Sequence, residues 1–317
     1  MLVSDLSACA TPDNVNKYGQ NREMTTTKQI SIDNLKSRRI KDTVYKSLVI
    51  FFSILTISPI VLIIYKLIVK GYKQISFDFI FKTPPNSYEA MTALNVGEII
   101  PGGIANGITG TLIMVIMASA FAIPIGVVAG IYLYENPGKF LANFTRNVSD
   151  ILQGVPSIVL GLIAYIWVVK NITNGYSALA GSVSLAIMML PMIVRSTEET
   201  LKMIPTSIKE AALALGVPYY KVLIKVLIPT GFSGLLTGIL LGISRVLGET
   251  APLMLTALGS TMINLDITKP TSAIPLLIWE FYNDPNMVDL IWSSSLLLMI
   301  MVLTLNIVSK QIAARTR

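Results

Sequence analysis

Runs of roughly twenty or more apolar residues, separated by short polar segments, constrain this chain more than any other feature. They fall near residues 44 to 69, 106 to 134, 151 to 170, 177 to 195, 230 to 258 and 289 to 309. Hydrocarbon offers the backbone no water, so each run must satisfy its own N–H and C=O groups, and a helix does so within one segment. The expected fold class is an all-α membrane protein with about six transmembrane helices. Hydrophobic residues at 53%, charged residues at 14% and a mean hydropathy of +0.65 agree with that class and not with a soluble domain. The second and fifth runs exceed the thickness of a bilayer, so tilt, kinks at Pro124 and Pro252, or extension past the headgroups must absorb the excess. Gly154 and Pro156 interrupt the third run, and Pro191 the fourth.

Basic residues set an orientation. Seven Lys and Arg lie in residues 1 to 43, Lys139 and Arg146 follow the second run, five lie between Arg195 and Lys225, and Lys310, Arg315 and Arg317 close the chain. The opposite loops hold only Lys70, Lys73, Lys82, Lys170 and Lys269. The positive-inside rule then puts both termini and the segment around residues 205 to 229 on the cytoplasmic side. A net charge of +7 is accounted for by the same bias, without nucleic acid. The expected organisation is a polar N-terminal tail (1–43), a first span with an external loop (44–103), a core (104–310) and a short C-terminal tail (311–317). The tail lacks the pattern of a secretory signal peptide, and Met24 is an alternative start. In the external loop, Phe77, Phe79 and Phe81 alternate as in a strand.

Residues 207 to 229 read SIKEAALALGVPYYKVLIKVLIP. Ser207 and Glu210 have capping-box spacing, Gly216 fits a left-handed helix stop, and Pro218 sits where a second helix would place its first residue. The expectation is a helix, an elbow and a helix, too charged to span. An interfacial amphipathic connector accounts for part of this, since Tyr219, Val222, Leu223 and Val226 make one apolar face. The ordered set Glu210, Ala211, Ala212, Gly216 and Pro229 also resembles the EAA loop of ABC importer permeases, with Val226 and Ile228 at its usual Ile and Leu positions. That resemblance implies a cytoplasmic coupling helix docked in a groove on an ATPase subunit.

Several chemistries are absent from the sequence. There is no His, the single Cys9 allows no internal disulfide, and no G-x-x-x-x-G-K-[ST] occurs. No catalytic set, metal site or cofactor is expected in this chain, and ATP would be bound by a partner ATPase. A membrane enzyme is disfavoured, because no G-x-S-x-G motif or paired catalytic carboxylates accompany the missing His.

The fifth run holds the charges that most need an account. Gly234, Gly238 and Gly242 form a small-residue ladder for close helix approach, and Arg245 and Glu249 continue down that face. An Arg in hydrocarbon costs at least about 2.5 kcal/mol, so it requires a partner or an aqueous cavity. Two readings stand. Arg245 and Glu249 form an intrahelical ion pair that pins packing, or Arg245 lines an anion route, with donors suited to a tetrahedral oxyanion and Glu249 holding it in place. Arg195, Glu198, Glu199 and Lys202 repeat the theme at the end of the fourth run, where a solvated interfacial cluster is the plainer alternative.

Arg245 to Leu253 (RVLGETAPL), Arg195 to Glu198, Gly130 to Glu135 and Ser157 to Leu162 together resemble the PstA family of phosphate-importer permeases, over about residues 44 to 310. The resemblance implies a type I ABC importer permease fold in the cytoplasmic (inner) membrane of a prokaryote. It also implies a phosphate route through Arg195, Glu198, Arg245 and Glu249. The partners implied are a second, PstC-like permease subunit, a PstB-like ATPase dimer and a PstS-like extracytoplasmic phosphate-binding protein. An Arg reads charge and geometry but not the central atom, so sulfate and molybdate remain alternative cargoes. A passive anion channel also explains the buried charges, but leaves the elbow without a task.

Overall fold

The computed structural model describes residues 32–315; the tail up to residue 31, with Cys9 and Met24, lies outside the described residues. Helix α1 (Ile32–Gly71) begins twelve positions before the expected start of the first span and continues through Pro59. By contacts the chain divides at residues 63/64. In the first unit, every described side chain from residue 38 to 63 is exposed, as suits an apolar helix whose solvent is lipid or another protein.

The second unit begins with the end of α1. There Lys70 lies over the Trp292 ring at 5.1 Å and the Ser293 hydroxyl donates to the Gly71 carbonyl at 2.8 Å. The phenylalanine alternation that suggested a strand is instead a short helix, α2 (Phe77–Phe81), because the Ser76 hydroxyl accepts from the Phe79 N–H and caps it. Phe79 is buried while Phe77 and Phe81 stay exposed. Helix α3 (Ser87–Val96) follows and stops at the left-handed Gly97.

Helix α4 (Ala105–Glu135) runs unbroken past Pro124. Helix α5 (Phe140–Gly154) is amphipathic, and the chain then turns by 109° into α6 (Ser157–Ala164), which continues as a π-turn over Tyr165–Val169. The run at 151–170 is thus broken where Gly154 and Pro156 were expected to interrupt it. Pro156 has no N–H and holds Val155 extended (ψ 133°), so the helix cannot pass through. Helix α7 (Ala178–Lys202) carries the fourth run through Pro191 and on into the charged Arg195–Lys202 stretch.

Helix α8 (Thr206–Ala214) and α9 (Tyr219–Val222) form the elbow, and α9 passes through a π-turn (Leu223–Leu227) straight into α10 (Ile228–Leu247). The second arm of the elbow is thus the first part of a span. The π-turn lies just before Pro229, whose missing N–H removes a regular helical bond. The fifth run ends earlier than expected: Gly248, Glu249 and Thr250 are non-helical, and α11 (Ala251–Thr256) restarts beyond them. Helices α12 (Ile274–Tyr282) and α13 (Val288–Arg315) complete the described chain. Among the described residues five helices are long and apolar enough to cross a membrane, six if the bent α5–α6 pair counts as one.

The core is helix against helix. Met114, Leu185, Met189, Ile193, Val246 and Leu253 are buried where α4, α7, α10 and α11 meet. The small-residue ladder of α10 faces α7 as expected. A Cβ at Gly238 would overlap the Ser196 side chain, and one at Gly234 would stand 2.5 Å from Thr200 Cγ2.

Candidate functional site: a charged cluster beside the coupling elbow

Helix α7 bends the site together by placing Arg195, Glu198 and Lys202 on one face at steps of three and four. Glu198 is wholly buried, and it is held by three cations. Arg146, from α5, brings Nη2 to 2.6 Å and Nε to 3.2 Å of Glu198 Oε1, while its Nη1 donates to Asn143 Oδ1 at 2.9 Å. Lys202 Nζ stands 2.5 Å from the same oxygen. Arg195 Nη1 lies 3.3 Å from Oε2, and its Nε is 3.1 Å from Asp150 Oδ1 on α5. Three cations and two carboxylates leave the cluster with one net positive charge.

This is not a solvated interfacial cluster, because burial of Glu198 makes its partners obligatory. Sequence reasoning missed Arg146, Asp150 and Asn143. Arg146 was read only as a positive-inside charge. The signal available was the spacing Asn143, Arg146, Asp150, which places all three on one face of an amphipathic helix.

Arg245 and Glu249 form a separate and looser pair. Nε of Arg245 is 3.7 Å from Glu249 Oε1, and its Nη1 is 3.7 Å from Met192 Sδ. Arg245 is 40% exposed. A pair this long and this open contributes about 0–1 kcal/mol, too little to account for placing a guanidinium here as a packing pin. Met192 precedes Arg195 by three positions on α7, so Arg245 contacts α7 about one turn from the Glu198 cluster. The structure thus joins Arg195 with Glu198, and keeps Arg245 with Glu249 apart from them.

The elbow carries Glu210, Ala211, Ala212 and Gly216 on α8 and just after it. Glu210 and Ala211 are exposed and Ala212 is half-buried. The expected capping box does not form: the helix starts two residues earlier, after Pro205, so Ser207 lies inside the first turn and no side chain caps it. Pro218 is the residue before α9 rather than its first. Gly216 does take the left-handed conformation (φ +74°), with its N–H bonded to the Leu213 carbonyl at 2.9 Å. Beneath the elbow, Leu201, Ile204, Val222 and Leu227 are buried against Ile131 and Tyr134 of α4.

Residues 122–315 match the family model described as binding-protein-dependent transport system inner membrane component. The chain is 38% identical over 247 residues to the phosphate transport system permease protein PstA of Yersinia pestis, covering 75% of this chain and 83% of that protein. It is 37% identical to PstA of Xylella fastidiosa, over 79% of this chain and 85% of that one. With PstA 1 of Mycobacterium tuberculosis the identity is 32%, over 87% of this chain and 89% of that protein. Among solved structures it resembles the inward-facing MetNI methionine ABC transporter (TM-score 0.56, 24% identity, 67% of this chain and 94% of that one). It also resembles a bacterial alginate ABC transporter in complex with its alginate-bound periplasmic protein (TM-score 0.59, 11% identity, 89% and 96%). These two likenesses establish the fold as that of ABC importer permeases. The chain belongs to the binding-protein-dependent transport system inner membrane components, and within them to the PstA family of phosphate transport system permeases.

Proposed function

We propose that this chain is the membrane subunit of an ABC importer that passes inorganic phosphate across the inner membrane, with Arg195, Glu198, Arg245 and Glu249 along the route. The observation that carries the route is Arg245. Its planar fork has five donors, the Glu249 carboxylate is 3.7 Å away, and it stands two-fifths exposed on an otherwise uncharged helix. Such a group binds an oxyanion in two-point fashion without first having to break a tight salt bridge. The substrate comes from the PstA relatives, which are named as phosphate permeases. Energy comes from ATP bound by a separate ATPase dimer seated on the α8–α9 elbow, which faces the cytoplasm with both termini. A second related permease subunit supplies the other half of the route, and an extracytoplasmic binding protein delivers phosphate.

The test is uptake of radiolabelled phosphate by vesicles holding the complete complex. ATP-dependent uptake that unlabelled phosphate competes away, and that sulfate or molybdate in excess does not, is the expected result. Competition by sulfate or molybdate at equal potency would assign a different oxyanion, and uptake that proceeds without ATP would make the chain a passive channel.

A further inference from the structure

Lys209 is the one charge of α8 that turns inward. Its Nζ lies 4.8 Å from the centre of the Tyr219 ring and 5.5 Å from that of Tyr134. Tyr219 is the first residue of α9 and Tyr134 the last but one of α4, so a single ammonium touches both arms of the elbow and the end of a long span. All three residues are half-buried. Lys209 has no ion pair among the described residues, so the ring faces are its principal attraction there. The carboxylate of Glu135 stands against the buried Tyr219 hydroxyl.

The apolar contacts of the elbow with Ile131 and Tyr134 are short-range and fixed in register. A cation over an aromatic face is different: attraction persists as the ammonium slides across the ring, out to about 6 Å from its centre. Such a contact holds two elements together while one rocks against the other. Helix α4 is also the element that packs along α7, the helix bearing Arg195 and Glu198: a Cβ on Gly130 of α4 would stand 2.5 Å from Thr197 Cβ, next to Glu198.

We propose that Lys209 is a positioning residue that ties the elbow to α4 through the faces of Tyr134 and Tyr219, so that movement of the elbow is passed to α4 and to the Glu198 cluster beside it. This rests on the elbow being the ATPase docking surface.

The measurement is phosphate taken up per ATP hydrolysed by the complete complex in vesicles, with ATPase retention read on a pull-down of the same complex. Lys209→Gln and Tyr134→Leu each retain the ATPase and hydrolyse ATP, but the ratio falls, about fivefold in Tyr134→Leu, the scale of one cation–π contact, and at least as far in Lys209→Gln, which loses both rings. Lys209→Arg and Tyr134→Phe, which keep the cation and the ring, stay close to wild type. The double variant Lys209→Gln/Tyr134→Leu is no worse than Lys209→Gln alone, because Tyr134→Leu removes one of the two contacts that Lys209→Gln already removes. A wild-type ratio in Lys209→Gln, or multiplied losses in the double variant, overturns the proposal. So does loss of the ATPase from Lys209→Gln, which would make Lys209 a contact to the partner. Failure of the docking premise has its own signature: Gly216→Val and Glu210→Ala would then leave both retention and uptake unchanged.

Discussion

Arg146 and Glu198, 52 positions apart, meet with Nη2 2.6 Å from Oε1, and this contact closes the amphipathic helix α5 onto the charged end of α7. Glu198 is the only member of the cluster with no exposed surface, so the three cations around it are what allow it to remain ionised there.

Glu198→Gln leaves Arg146, Arg195 and Lys202 facing one another without their shared anion. We expect a loss of about 3 kcal/mol in stability, the low end of the range for breaking a buried pair, because the cations themselves are partly exposed. Arg146→Gln should cost less, about 1.5–3 kcal/mol, since Lys202 and Arg195 still serve the carboxylate. Thermal unfolding of the detergent-solubilised complex checks the order, and Arg146→Gln proving the worse of the two would contradict this account of the cluster.

Arg245 and Glu249 are a separate test, because a charge swap treats pin and route differently. The double variant Arg245→Gln/Glu249→Gln should assemble normally yet transport at least about tenfold less phosphate, since the fork-shaped donor is gone. Arg245→Lys should fall between, keeping charge without two-point geometry. Uptake is normalised to assembled complex, and wild-type uptake in the double variant would make Arg245 a packing residue only.

Gly216 has φ +74° and nothing within 4 Å of where a Cβ would stand, so any effect of substitution there is backbone strain alone. Gly216→Val should cost about 1–3 kcal/mol and weaken retention of the ATPase, whereas Gly216→Asn, a residue that tolerates this region, should nearly preserve it. Equal behaviour of the two variants would remove the left-handed turn from the docking argument.

Glu210 is exposed and caps nothing, so Glu210→Ala should leave the stability of the membrane core unchanged to within about 0.5 kcal/mol. Its effect, if the elbow docks the ATPase, appears only in pull-down and uptake. A large drop in thermal stability would point instead to a cap that the structure lacks.

Gly238 and Ser196 set the approach of α10 to α7. Gly238→Ala should destabilise by about 1–3 kcal/mol through overpacking, and Ser196→Gly should recover part of it in the double variant. Purely additive losses would mean that the two residues do not share the contact.

The sequence by itself determined what depends on neighbours along the chain. Four of the six long apolar runs became single helices because lipid leaves the backbone no other partner, the ladder of α10 forecast a close helix contact, and Gly216 marked the turn of the elbow, since only its own backbone decides that. Local rules also misled where two of them competed. Ser207 and Glu210 have the spacing of a capping box, but the N-cap is Pro205 and the helix starts two residues earlier. The run at 151–170 has the apolarity of a span, but apolarity carries no direction, and the 109° turn at Pro156 redirects the chain. The charged site depends on contacts between segments far apart in the chain. In the sequence Glu198 reads either as a solvated acid in a helical cluster or as part of an anion route, and nothing there shows that α5 folds across it and supplies Arg146. Conformational preference and transfer from water act on segments a few residues long, whereas a charge pairs with whatever the fold brings within a few ångströms, however far away it lies in the chain.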